Sequence, residues 1–329
     1  MKFNVITIGG ITEDIMFHTQ ELQILNNPKK TGARKLFAFE VGDKIISDCQ
    51  VLYTGGGGGA NTAVSLARLG LKTALWGAVG DDSSAQKLAK HFAKNKINLS
   101  GWQVNRHDWT GLSFIIIAGD KNDRVIFTHR GANDRFKLSF NDCLKFQADW
   151  FYLTSLSGIY WQANLAVVFA AAEKNKVKLA WNPGSTQLDK GYAFLKKYLS
   201  RTEVLTLNKE EAAALVRSAG KRAKDIKQML EVLASFGPKI VGISNGNKGA
   251  HAYATDRFYF EPAWPVKAIN TTGAGDAFGS SLVGGLMIYR GNLARALKLA
   301  LLRSGCVVAK IGAQTGLLTL AEVKQKRRI

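Results

Sequence analysis

Gly55-Gly-Gly-Gly-Gly59-Ala-Asn61-Thr-Ala-Val-Ser-Leu-Ala-Arg-Leu-Gly70, followed by Gly77-Ala-Val-Gly80-Asp-Asp82, reads as a glycine loop, a helix, a strand and an acidic turn. Five glycines without a Cβ let the backbone approach a small polar ligand closely, and Asn61 offers both a donor and an acceptor. A flexible linker would not run straight into the apolar pattern Ala63, Leu66, Ala67, Leu69, which marks one face of a helix. The alternation continues outward to both ends of the chain. Strands are expected over residues 5–8, 73–76, 150–153, 178–181, 204–207 and 240–243, and helices over 85–95, 163–175, 209–218, 226–236 and 293–311. With 329 residues and 46% hydrophobic content, this pattern predicts a doubly wound α/β fold, a mostly parallel central sheet flanked by helices.

A second glycine-rich turn, Asn270-Thr-Thr-Gly-Ala-Gly-Asp276-Ala-Phe-Gly, places one carboxylate in the first turn of a helix. Free N–H groups at such a helix start converge on an anion that the helix dipole also favours. Gly273, Ala274 and Gly275 are therefore candidate anion-hole residues, and Asp276 a candidate base. The apolar run through Phe278, Leu282, Val283, Leu286 and Met287 predicts a buried helix whose start the core holds in place. The local alternative is a Thr271 or Thr272 cap, with Asp276 merely complementing the dipole. No Walker A sequence competes for the phosphate, since Gly220-Lys221 is followed by Arg222 and lacks the upstream glycine.

In their order and separation, these segments resemble the two signatures of the ribokinase-like sugar kinase family, also called the PfkB family. Val5-Ile-Thr-Ile-Gly9-Gly-Ile-Thr-Glu-Asp14 is similar to the family's first strand and its substrate-binding aspartate, Asn208-Lys-Glu-Glu211 to its Asn-x-x-Glu element, and Ser244-Asn-Gly246-Asn-Lys-Gly249 to its nucleotide loop. The resemblance implies ATP-dependent, Mg²⁺-assisted phosphoryl transfer to a hydroxyl of a sugar, with a nucleoside as the alternative acceptor. Asp14, Gly56, Gly57 and Asn61 would bind the acceptor, and Asn208, Ser244, Gly246 and Gly249 the nucleotide. Glu211 and Asn208 would organise Mg²⁺ through water, although the same pair reads equally as a capping box.

The resemblance further implies one kinase domain over 1–329 with lid insertions at about 17–53 and 112–128. Apolar stretches at Leu36 to Phe39, Ile45-Ile46 and Val51 to Tyr53 follow a polar, mobile loop at 26–34, and Gly119 to Asp123 is a hairpin turn between two apolar runs. A homodimer through this lid is compatible with the family. Three departures stand out. Ser281 replaces a small apolar residue; Trp150 to Leu156 lacks the acidic contact that ribokinases carry at the end of that strand; and Asn270 replaces the aspartate of many potassium-activated members. Gly312-Ala-Gln314 still resembles the backbone segment lining the monovalent-cation site, so K⁺ activation stays open.

Charge sets the remaining bounds. With 45 Lys and Arg against 25 Asp and Glu, the net charge of +20 attracts nucleotides and phosphorylated metabolites. The basic residues are scattered apart from Lys221 to Lys224 and the tail after Lys324, and no recognition motif accompanies them, so dedicated nucleic-acid binding is not expected. A catalytically silent, polyanion-binding relative is the rival reading from another class; retention of Asp276, Asn208 and Glu211 argues against it. Cys49, Cys143 and Cys306 are odd in number and far apart, which fits a reducing cytoplasm. The short apolar start ends at Gly9-Gly10 and reads as a strand, not a signal peptide, and no run is long enough for a membrane span.

Overall fold

A computed structural model of the chain describes residues 2–27, 35–119 and 123–326. Its strands are β1 (Lys2–Ile8), β2 (Thr12–His18), β3 (Gln23–Asn26), β4 (Lys35–Ala38), β5 (Leu52–Gly56), β6 (Thr73–Gly80), β7 (Asn98–Asn105), β8 (Gly111–Ala118), β9 (Asp123–His129), β10 (Gln147–Leu153), β11 (Lys178–Trp181), β12 (Val204–Asn208), β13 (Ile240–Ser244), β14 (Ala250–Ala254) and β15 (Arg257–Glu261). The helices are α1 (Gly58–Arg68), α2 (Ser83–Lys94), α3 (Phe140–Leu144), α4 (Trp161–Lys174), α5 (Ser185–Leu188), α6 (Gly191–Leu199), α7 (Lys209–Ser218), α8 (Ile226–Ser235), α9 (Ala274–Ile288), α10 (Leu293–Val308) and α11 (Leu320–Gln325).

Among the described residues a nine-stranded sheet runs β15-β14-β13-β12-β11-β10-β1-β6-β7. Every pairing from β7 to β13 is parallel, and β14 and β15 close the far edge as antiparallel hairpin partners. Parallel strands buried on both faces need apolar residues at every position. The two faces are read off alternate residues. Ile6, Ile8, Phe151, Leu153 and Trp181 pack with Phe169, Leu195, Leu215 and Leu230 from α4, α6, α7 and α8. Val5, Trp150, Tyr152 and Ala180 pack with Phe278, Leu282 and Leu297 from α9 and α10.

From β1 the chain winds outward through β6 and β7, then returns to β10 on β1's other side and proceeds to β13. The carboxyl end of β1 is therefore the topological switch point, where open α/β sheets leave a crevice for ligands. A separate four-stranded sheet, β5-β2-β8-β9, stands beside this crevice. In it β2 pairs antiparallel with β5 and parallel with β8, and β8 and β9 form a hairpin.

The expected strands and helices are present with shifted ends, and the small sheet begins at Thr12, earlier than the insertion bounds of 17–53 suggest. The helix expected over 293–311 stops at Val308, after which the chain turns at Ile311-Gly312. Ile45 and Ile46 lie outside any strand. Most of the 26–34 loop, the centre of the 119–123 turn and the last basic residues of the tail lie outside the described residues. No helix among the described residues is long and apolar enough to cross a membrane.

Candidate active site

The expected phosphate end is built by the start of α9. Gly273 caps the helix at φ 77°, a left-handed conformation that strains other residues, and a Cβ there would meet Ala313 at 2.5 Å. The Gly273 and Gly275 amides make no hydrogen bond to the described residues, whereas the Ala274 amide donates at 3.3 Å to the Thr271 carbonyl. Two of the three predicted anion-hole donors are thus free, and the third sits in the turn that orients them. Burying Phe278, Leu282 and Val283 is worth ~1.5–3 kcal/mol each. That outweighs the roughly 1 kcal/mol lost at each helical glycine of α9, so the core holds the helix start rigid.

Asp276 points from the first turn of α9 toward the glycine run. Asn61 Nδ2 donates to its Oδ2 at 2.8 Å. Burial pushes the Asp276 carboxyl above the usual carboxylate range, and the Asn61 bond pulls against that rise. Both sides of the Asn61 amide are occupied, because its Oδ1 accepts from Gln314 Nε2 at 2.9 Å.

The expected acceptor end is formed by β2 and the loop entering α1. Asp14 is 4% exposed, lies opposite Thr54 and Ser113, and accepts from Thr12 Oγ1 at 2.8 Å. Its carboxyl is pushed up to about 6, first by burial and last by the charge of Asp276, against hydrogen bonds from Thr12 and Ser113. The two carboxylates therefore share one electrostatic environment. A Cβ on Gly56 would fall 2.1 Å from Asp14 Oδ2, and Gly57, at φ 85°, would strike the Gly10 carbonyl at 2.4 Å. The glycine run is needed to press the loop against Asp14 and the end of β1. The end of β10 contributes Thr154, whose Oγ1 donates to the Ile8 carbonyl at 3.3 Å, and no carboxylate.

Farther along the same edge of the sheet, Asn208 and Ser244 end β12 and β13 as paired neighbours. Gly246 and Gly249 follow with φ of 55° and 96°, and the Asn245 amide closes their turn by donating to the Gly249 carbonyl at 2.8 Å. Asn208 and Glu211 form a complete capping box. Asn208 Oδ1 accepts from the Glu211 amide at 2.8 Å, and Glu211 Oε2 from the Asn208 amide at 2.9 Å. Burial raises the Glu211 carboxyl, the Asn208 amide lowers it, and Glu210 raises it. Its Oε1 has no protein hydrogen bond among the described residues, which leaves it available to water. No group of three or more His, Cys, Asp or Glu in the described residues could hold a metal, so a divalent ion here would depend on phosphate and water ligands.

A model of the pfkB family carbohydrate kinases matches residues 34–320. The chain belongs to the pfkB family. It is a kinase, a phosphotransferase with an alcohol group as acceptor. A ribokinase of Haemophilus influenzae is 28% identical over 286 residues, covering 83% of this chain and 86% of the relative. In fold, the chain is similar to Arabidopsis thaliana ribokinase solved with ribose and ATP (TM-score 0.80, 20% identity, 100% of both chains). It is similar also to a Burkholderia thailandensis nucleoside kinase solved with inosine (TM-score 0.78, 18% identity, 98% of this chain and 97% of that one).

Three long-range contacts around this candidate site were not foreseen from the sequence. Arg124, on β9 of the small sheet, donates from Nη1 to Thr271 Oγ1 at 2.5 Å and so ties that sheet to the anion-hole turn. Burial lowers its guanidinium pKa. Arg303 is fully buried on α10 and donates to Ser281 Oγ at 2.7 Å, Ser65 Oγ at 2.8 Å and the Ser65 carbonyl at 2.9 Å. The hydroxyl of Ser281, a departure from the family pattern, is thus an acceptor for a buried arginine. His91, on α2, bonds to Gln314. None of these contacts has a sequence spacing that could reveal it. At Asn270 the amide is 2% exposed, with Oδ1 accepting from the Thr272 amide at 2.8 Å, which leaves the buried donor Nδ2 without a partner among the described residues. Oδ1 keeps one lone pair beyond its bond from Thr272, so this neutral amide could offer a cation one weak oxygen ligand in place of a carboxylate.

Proposed function

We propose that this kinase transfers the γ-phosphoryl group of ATP to a hydroxyl of a sugar, with Asp276 as general base. The observation that carries the reading is the convergence of two desolvated carboxylates, the buried Asp14 and the half-buried Asp276, on a crevice whose phosphate end offers the free amides of Gly273 and Gly275. A sugar hydroxyl is a weak nucleophile. Asp14 accepts hydrogen bonds from neighbouring hydroxyls and fixes the ring, while Asp276 takes the proton of the reacting one. The oxygen bonds to the γ-phosphorus as the bond from phosphorus to the bridging oxygen of ADP breaks, and the 273–275 backbone stabilises the charge spread on the phosphoryl oxygens. Mg²⁺, held chiefly by the phosphates and reached through water by Glu211, would supply further charge neutralisation. Ser244, Gly246 and Gly249 would cradle the nucleotide beside Asn208. No step depends on K⁺.

The small sheet acts in this reading as the lid of a single kinase domain, latched through Arg124 and Thr271. A second copy of the chain is its proposed partner, and the cytoplasm its location. A nucleoside is the second acceptor reading, favoured by the uncharged end of β10, which has no carboxylate for the additional hydroxyls of a free sugar.

The test is ATP consumption with Mg²⁺ against pentoses, hexoses, keto-deoxy sugars, sugar phosphates and nucleosides, for wild type and Asp276→Asn. One acceptor class should support turnover, and the variant should lose ~10²- to 10⁴-fold or more while staying folded. Near wild-type turnover by Asp276→Asn would reduce Asp276 to a helix-start residue.

A further inference from the structure

The Asn61 amide that holds Asp276 is itself held. Asp276 Oδ2 accepts from Asn61 Nδ2 at 2.8 Å, Asn61 Oδ1 accepts from Gln314 Nε2 at 2.9 Å, and Gln314 Oε1 lies 2.7 Å from His91 Nε2. The polarity of the whole chain follows from its first member. An ionised carboxylate only accepts, so Asn61 presents its NH₂ to Asp276 and its oxygen to Gln314. Gln314 then presents its NH₂ to Asn61 and its oxygen to His91, whose Nε2 must carry the hydrogen. The same orientation therefore runs from the rim of α2 to the proposed base.

The arrangement is built into the fold. Asn61 and Gln314 are each 5% exposed. Arg68 Nη1 donates to the Gln314 and Leu317 carbonyls, both at 2.9 Å, and so fixes the backbone that carries Gln314. A Cβ on Gly55 would lie 3.3 Å from Gln314 Nε2, so the glycine run also leaves room for this side chain. His91 ends the chain at a surface cavity of about 380 Å³ bordered by Glu13, Tyr53, Arg68 and Lys87.

We propose that Gln314 and His91 are positioning residues for phosphoryl transfer, acting through Asn61 to keep a hydrogen-bond donor aimed at Asp276 throughout turnover. An amide does not readily pass a proton, so the chain orients the base and does not carry its proton away. Without Gln314, Asn61 can rotate and offer Asp276 its oxygen, which repels the carboxylate and favours its protonated form. The proposal rests on Asp276 being the base.

The experiment compares kcat, both KM values, the pH profile of kcat and the melting temperature for wild type, Gln314→Leu, His91→Leu, His91→Gln and Asp276→Asn. The profile of kcat is chosen because it reports the substrate-bound enzyme, in which Asp14 is already engaged. Around Asp276 the titratable neighbours are Asp14 on β2 and the Tyr152 phenol on β10, and around His91 they are Glu13, Arg68, Lys87 and Tyr53. All are kept in every variant. Losing one well-oriented hydrogen bond predicts a fall in kcat of roughly five- to tenfold for Gln314→Leu, with little change in either KM. The acid limb should move up by about half to one pH unit. His91→Leu should shift in the same direction by less, and His91→Gln, which retains an N–H donor, should restore wild-type behaviour.

A purely structural role would lower the melting temperature and leave the acid limb in place, and that result overturns the proposal. It is overturned as well if His91→Leu and His91→Gln share the wild-type kcat and acid limb, a comparison that holds even if Gln314→Leu fails to fold. An inactive Asp276→Asn beside unaffected Gln314 and His91 variants sinks this inference alone. An active Asp276→Asn removes the base assignment and the inference together.

Discussion

At the scale of a single residue, Asp14 carries a stability cost that its proposed role in acceptor recognition would explain. Its carboxyl is held at about 6 in the folded chain against 3.8 ordinarily, with burial as the main cause. The folded state therefore binds the proton more tightly than the unfolded state. Stability linked to this group is full below pH 3.8 and is lost as the pH rises through about 6. A shift of this size corresponds to up to about 3 kcal/mol at neutral pH. Asp14→Asn, which removes the buried charge, should raise the melting temperature at pH 7.5 and change it little at pH 4. Acceptor hydroxyls that donate to Asp14 favour its ionised form. Acceptor affinity should thus fall as the pH drops below about 6, by up to tenfold per unit, and Asp14→Asn should remove that dependence without lowering ATP-analogue affinity at pH 7.5. Calorimetry with acceptor and analogue in turn measures both. A pH-independent acceptor affinity, or a variant that loses nucleotide and not acceptor, would remove Asp14 from the acceptor site.

At the scale of an element, the start of α7 carries an observed capping box and a proposed second role toward Mg²⁺ that the same pair of side chains could serve. The Asn208-Glu211 capping box was legible in the sequence because both of its hydrogen bonds are local, and it is formed as the spacing predicts. Its proposed relation to Mg²⁺ comes only from family resemblance, since no spacing encodes a water-mediated ligand. The two roles can be separated because glutamine closes a capping box as glutamate does. Glu211→Gln should keep the melting temperature, raise the Mg²⁺ concentration needed for half-maximal rate and lower kcat. Glu211→Ala should do the same and in addition lose ~0.5–1.5 kcal/mol of stability, because the Asn208 amide loses its capping-box partner. Superimposable Mg²⁺ titrations for wild type and Glu211→Gln would leave the capping box as the whole explanation of Glu211.

Across the whole molecule, what the sequence could reveal follows the range of the interaction. The central strands were readable because a doubly covered parallel sheet demands runs such as Val5 to Ile8 and Val204 to Leu207. Strand β7, mixed in burial, and the edge pair β14 and β15 lacked such runs and were not foreseen. The glycine loop and the turn before Asp276 were readable as local chemistry, but the bonds that unite them, from Asn61 to Asp276 and Gln314, join residues more than two hundred positions apart. The small sheet was readable as an insertion, and its outer surface supports a prediction about assembly. Its register sets Tyr53, Ile15, Phe114 and Phe127 in one row, with Tyr53 60% and Phe127 55% exposed. A sheet face of this composition is normally covered, and a second copy presenting the same row would cover it symmetrically. Sedimentation velocity should therefore find a dimer, and Tyr53→Lys combined with Phe127→Lys should yield a folded monomer, because like charges would then oppose each other across the two-fold. Arg124, which latches the sheet to Thr271, lies on the strand that would be steadied by the partner, so the monomer should also show a raised acceptor KM. A wild-type chain that sediments as a monomer at its highest soluble concentration would rule out this assembly.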